Sequence, residues 1–204
     1  MKRYGFTLIE LLIVVAIIAI LAAIAIPNFL EAQVRAKVSR AKADLRSIGT
    51  AVESYAVDYH RYPPNDGTYN VIPCELTTPQ AYITTSRLID PFGEFNEEFI
   101  SFDEVRSRYY TYMCIVTLKE AAWWNAHGRR CPHEAIDDWS ENEGAFEKYG
   151  CWRMVSVGPD TKYLSHSFPP PLKGSDVPYD PSNGMVSFGN ILYTQKYVFG
   201  DVKK

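Results

Sequence analysis

The chain has 204 residues, with 21 Lys and Arg against 24 Asp and Glu, and a formal net charge of −3. A near-balanced charge without a run of one sign excludes a strongly basic nucleic-acid surface, and an aromatic content of 14% excludes a solvated disordered chain. One globular domain is the simplest organisation, large enough to bury a core of its own.

The first element is apolar. In residues 6–26 the only ionisable side chain is Glu10, and about twenty apolar helical residues suffice to cross the hydrocarbon core of a bilayer. Three readings compete. A cleavable secretory signal would use Lys2 and Arg3 as its basic start and Ala23-Ile24-Ala25 as its small-residue site. A plain anchor would simply remain in the bilayer. Both leave Glu10 unexplained, because a carboxylate within hydrocarbon is costly unless neutralised or paired.

The third reading rests on Gly5-Phe6-Thr7-Leu8-Ile9-Glu10, followed by an apolar helix and Pro27. This stretch resembles the class III signal of type IV pilins and type II secretion pseudopilins. The resemblance implies cleavage between Gly5 and Phe6 by a prepilin peptidase, which leaves a leader of residues 1–5, and N-methylation of Phe6. It implies that Glu10 meets the terminal amine of a neighbouring subunit. The physics is compatible: a lone carboxylate and a lone ammonium are each costly in apolar surroundings, and an intersubunit pair removes both penalties only in the correct register. A protonated Glu10 facing a protein neighbour is the alternative.

Beyond the apolar segment, Arg35, Lys37, Arg40, Lys42 and Arg46 outnumber Lys2 and Arg3, so positive-inside counting alone favours the opposite orientation. The cleavage motif overrides that count here. The basic stretch either faces acidic groups on adjacent subunits or forms a solvated helix face.

Val34, Val38, Ala41, Leu45, Ile48, Val52, Tyr55 and Tyr59 recur in steps of three and four, the period of one helix face. The pattern stops before Tyr62-Pro63-Pro64-Asn65-Asp66-Gly67, where prolines and an Asp-Gly pair favour a turn. The spacing predicts one helix over residues 6–59, with residues 6–27 as a membrane or filament-core half. Pro27 removes a helical hydrogen bond and crowds the Ala23 carbonyl, so a kink or local melting is expected. In pilin-like filaments the corresponding region is often unwound. Gly49 is a second weak point, and a lone helical glycine more often marks close packing than a hinge.

Residues 28–204 are expected to form the globular domain, including the second helix half. Residues 108–116, 151–157 and 191–199 are rich in β-branched and aromatic side chains and read as strands. Three or four antiparallel strands on the helix define an α+β class. Residues 60–107 are a long connection containing "LTTPQAYI" and "DPFG", with a helical turn expected near Thr78. Residues 118–150 read as an insertion with two short helices, and Ser140-Glu141-Asn142-Glu143 has capping-box spacing.

Near the end, "SVGPDTKY" and "PYDPSNGMVSFGNILY" resemble the C-terminal loop of the major, G-type pseudopilin, in which calcium ties the loop to the sheet. That resemblance implies Asp160, Asp180 and Asn183 as oxygen ligands, the hard donor type that calcium takes. The chain departs from the pattern at Phe168-Pro169-Pro170-Pro171, which separates the two segments, and at Asn190, where an acidic residue was expected. Asp180-Pro181-Ser182-Asn183-Gly184 also satisfies turn chemistry without metal.

Cys74, Cys114, Cys131 and Cys151 all follow the apolar segment and suit an oxidising compartment, where two disulfides in any of three pairings are possible. A zinc reading of His127, Cys131, His133 and Cys151 has no standard finger spacing. Trp123, Trp124 and Trp139 read as packing of the insertion before they read as a binding patch. No phosphate loop, nucleophile elbow or catalytic Cys-His pair stands out, so an enzyme is not expected.

The combined expectation is a homo-oligomeric pilin-like filament subunit of the type II secretion pseudopilus, held in the inner membrane before assembly on a membrane platform. A surface type IV pilus subunit is the alternative, and a membrane-tethered binding or catalytic domain is the competitor from another class. A tether requires neither Glu10 nor a leader ending in glycine.

Overall fold

The structure is a computed structural model that describes residues 6–64, 71–93, 108–115, 149–161, 179–180, 182, 189–196 and 199. Its first element, α1, is one helix over Leu8–Tyr59, 52 residues long, or about 78 Å at 1.5 Å per residue. Thr7 caps its start, and His60 closes it in a left-handed conformation at φ 53°. Pro63 and Pro64 follow and prevent the helix from resuming.

The helix runs unbroken through Pro27. Local melting at that position, expected from the sequence, is therefore absent from the single subunit. The rungs on either side of one missing hydrogen bond hold the helical path.

The second half of α1 buries Val38, Ala41, Leu45, Ile48, Ala51, Val52 and Tyr55. This is the predicted face, with Ala51 added and Tyr59 moved to the margin. Tyr59 is 39% exposed but stacks on Tyr55 with ring centroids 4.4 Å apart.

Three antiparallel strands face that stripe in the order β1-β2-β3: β1 Thr111–Cys114, β2 Trp152–Ser156 and β3 Ile191–Thr194. Thr111 lies opposite Val155 and Cys114 opposite Trp152, while Arg153 lies opposite Thr194 and Ser156 opposite Ile191. β3 begins at the expected residue, β2 one residue and β1 three residues later than expected, and all three end sooner. With period-two alternation, Tyr112, Cys114, Trp152 and Met154 join the helix stripe in one core.

Gly49 sets the distance between the two layers. A Cβ at this position would lie 2.5 Å from Tyr193 Cε1 and 3.3 Å from Trp152 Cη2. The glycine is thus a packing contact, as the lone helical position suggested.

Trp152 Nε1 also donates to Glu53 Oε1 at 2.7 Å, which pins the sheet to the helix by a polar bond. The helical turn expected near Thr78 is a 3-10 turn slightly earlier, Cys74–Leu76. The two short helices of the insertion and the capping box at Ser140 lie outside the described residues.

Candidate assembly site

The apolar window of α1 has no part buried. Phe6 is 75% exposed and Leu8 80%, and large apolar side chains stay open to solvent as far as Phe29 and Leu30. The helix is long and apolar enough to cross a membrane, and its apolar window has no residue buried inside the molecule. Exposed apolar surface on this scale marks a membrane or protein contact.

Glu10 has a local role that the opening motif concealed. Its carboxylate accepts from the Thr7 backbone N–H at 2.9 Å and from the Thr7 hydroxyl, while the Glu10 N–H donates to Thr7 Oγ1 at 3.4 Å. This is a capping box. The signal was legible as Thr7-x-x-Glu10 before an apolar run, the same spacing noticed at Ser140. The carboxylate is consequently held at the helix start, close to Phe6. Gly5 lies outside the described residues, and Phe6 leads directly into the cap.

The basic stretch after Leu30 is engaged within the chain. Arg35 pairs with Glu31, and Arg40 lies 3.8 Å from Asp44. Lys37 sits 5.7 Å above the Phe92 ring, and Lys42 and Arg46 lie 5.5 and 4.8 Å from the Phe199 ring centre. The groove beside them, lined by Val34, Val38, Ser39 and Tyr179, has a volume of about 350 Å³. All of this describes a solvated helix face with local partners.

Of the residues expected to bind calcium, Asn183 lies outside the described residues. Asp180 Oδ1 accepts from Ser182 N at 2.8 Å and Ser182 Oγ at 2.7 Å, and those bonds hold its carboxyl below the usual carboxylate range. This is the Asx turn that the Asp-Pro-Ser spacing allowed. Asp160 lies in the turn after β2, where Thr161 N donates to Gly158 O at 3.1 Å. Among the described residues, no three His, Cys, Asp or Glu side chains converge as metal ligands.

Asn190 adds an oxygen donor to this region. It is fully buried, and neither its Oδ1 nor its Nδ2 has a hydrogen-bond partner among the described residues. Its backbone carbonyl accepts from Tyr179 N at 2.9 Å, which lays the segment bearing Asp180 alongside it.

Asp90, in the "DPFG" turn, was not singled out by sequence. It is 1% exposed, and its two oxygens accept from Phe92 N at 2.9 Å and Val157 N at 3.0 Å. Burial pushes its carboxyl above the ordinary value despite these bonds.

Cys74 is exposed, Cys114 buried and Cys151 intermediate, and no disulfide is formed among the described cysteines. Cys131, with His127 and His133, lies outside the described residues, as do the three tryptophans of the insertion.

A long helix with a bare apolar half, packed by its other half on a small antiparallel sheet, is the arrangement that a type IV pilin-like protein is expected to have. Residues 1–26 match the prokaryotic N-terminal methylation motif. Within that class, residues 28–97 match the family described as type II secretion system protein G.

The chain is 60% identical over 61 residues to the type IV major pilin protein PilA of Myxococcus xanthus, an alignment covering 30% of this chain and 28% of that protein. It is 44% identical over 62 residues to type II secretion system core protein G of Pseudomonas aeruginosa, covering 30% and 44%. To the Escherichia coli core protein G it is 32% identical over 81 residues, covering 39% and 56%. The chain thus spans between about a quarter and just over half of the length of these relatives. No solved structure matches it.

The pilin-like class implies a peptidase-processed signal, assembly into filaments, and anchoring in the inner membrane by the apolar helix. It is a structural class.

Proposed function

We propose that this chain is the repeating subunit of a type II secretion pseudopilus, a short filament whose growth pushes folded proteins outward. One observation carries the reading: a single continuous helix has a bare apolar half, whose start matches the N-terminal methylation motif, and a half built into a domain. The bare half sits in the inner membrane until subunits pack it against copies of itself. A prepilin peptidase would cut between Gly5 and Phe6, and a membrane assembly platform would add subunits at the base.

In this scheme Glu10 exchanges its bond to Thr7 for the terminal amine of a neighbour. Mass spectrometry of the membrane-extracted protein should find a mature chain beginning at N-methylated Phe6; a start at Met1 or Ile26 contradicts the proposal. Glu10→Ala should process normally yet yield few filaments, because the intersubunit pair is lost along with the local cap to Thr7, and unchanged filament yield would refute the register role.

The 60% identity over 61 residues to a major pilin favours a second reading, a surface type IV pilus subunit. Immunogold labelling separates the two: long surface fibres favour the pilus, and a periplasmic filament favours the pseudopilus.

We also propose calcium in the C-terminal loop. Asp160, Asp180 and Asn183 remain its candidate ligands, and the Asn190 amide oxygen, without a partner among the described residues, is a further hard donor. Bound there, a cation would tie the loop to the end of the sheet. The Asx turn at Asp180 is the metal-free competitor.

A further inference from the structure

We infer that Cys114 and Cys151 join in a disulfide in the exported protein, closing the two ends of segment 115–150 against each other. Cys114 ends β1 directly opposite Trp152. Ile115 N donates to Cys151 O at 2.7 Å, so Cys151 is the next residue along from the one facing Cys114. A strand spacing of about 4.8 Å and a rise of about 3.3 Å per residue place such diagonal neighbours roughly 5.8 Å apart at Cα. Disulfides span Cα separations of about 4.4–6.8 Å.

The side chains also share a face. Cys114 belongs to the core between helix and sheet, and Cys151 packs against that same core. Regular alternation would send Cys151 to the other side, but Gly150, at φ 86°, breaks the strand just before it. A Cβ on Gly150 would lie 2.5 Å from Gln195 Oε1, the atom that accepts from Cys151 N at 2.7 Å. Gln195 Nε2 in turn donates to the Tyr62 hydroxyl at 2.6 Å. Burial first, then the Glu53 carboxylate and both sulfurs, raise the Tyr62 hydroxyl, and burial with both sulfurs raises that of Tyr112. One small neighbourhood therefore holds both thiols. Cys74 lies on the exposed 3-10 turn, outside that core.

The chemistry is thiol–disulfide exchange with an oxidised protein dithiol. The more accessible Cys151 thiolate attacks one sulfur of the oxidant's disulfide and releases the other as a thiolate. Cys114, having given up its proton, then attacks the Cys151 sulfur and expels the oxidant's remaining sulfur. Two protons and two electrons leave the cysteine pair, and the oxidant is reduced to a dithiol.

The oxidising compartment rests on the export reading above, but the geometry does not, and one digest distinguishes them. Protein purified from the native envelope without reductant is alkylated and cut with trypsin. The export reading predicts a first peptide beginning at Phe6. The pairing predicts peptide 109–119 bound to peptide 149–153, lighter by two hydrogens than their sum. A mature Phe6 with Cys114 alkylated or bound to another cysteine would overturn the pairing alone.

Should the chain prove unprocessed, reduced full-length protein reoxidised with glutathione disulfide still decides. The same cross-linked pair is expected to form first, and preferential formation of any other pair refutes the assignment. Cys74→Ser/Cys131→Ser should retain the link. In that variant, reduction should lower Tm by on the order of 5–10 °C, and an unchanged Tm would show that no bond constrains the domain.

Discussion

Asp90 and Tyr82 show what single side chains contribute to the connection between helix and sheet. Asp90 holds the amides of Phe92 and Val157, so Asp90→Ala leaves two buried donors without acceptors. The expected cost is roughly 2–5 kcal/mol, measurable by urea unfolding of the detergent-solubilised chain; a loss below 1 kcal/mol would mean that water replaces the carboxylate. Tyr82 donates to Asp58 Oδ2 at 2.5 Å, and that bond pushes its hydroxyl up to about 12 from 10.0. A raised folded-state value means that the contribution is complete below the ordinary value and is lost as pH rises through about 12. In Asp58→Asn, absorbance titration should therefore find that tyrosine ionising earlier, and a curve identical to that of the parent protein would remove Asp58 as the cause.

Among the elements, α1 was the most legible, because its buried stripe repeats over five turns and its end is marked by two prolines. Strand cores were legible from aromatic and β-branched composition, but their ends were not. The 108–116 stretch, for example, contributes only Thr111–Cys114 to the ladder, since pairing stops where a partner stops, which no single stretch records. A local contact such as the Thr7–Glu10 cap lies within reach of the sequence, whereas contacts assembled from afar, as at Asp90 and Asn190, do not. Gly49 lies between these cases: the residue was visible, but its contact with Tyr193 was not.

Tyr193 is itself wedged between Trp152, 5.4 Å away, and Phe199, 5.1 Å away. Gly49→Ala should thus destabilise by about 1–3 kcal/mol through overpacking, outweighing the gain of up to about 1 kcal/mol in helix propensity. Urea unfolding reads the sign, and a stabilised variant would mean that the tyrosine ring yields freely.

At the scale of the whole molecule, the proposed calcium loop would make the stability of the domain depend on an ion. Binding to the folded state alone raises stability by about 2.7 kcal/mol at a hundredfold excess over Kd. Chelator should lower Tm, and calcium should restore it better than magnesium, which demands a tighter octahedral shell. Asp180→Ala should abolish that response. A chain that melts identically with calcium and with chelator is held there by the Asx turn alone.

The bare half of α1 also bears on the energetics of leaving a bilayer. Lipid tails are as apolar as leucine, so exchanging lipid for neighbouring helices brings little of the gain that drives folding in water. Departure from the membrane is then close to balanced, and its direction must come from polar pairing at the helix start, from contacts between the domains, or from external work. On the proposed reading, such subunits can rest in the membrane as a reservoir and can return to it when a fibre comes apart.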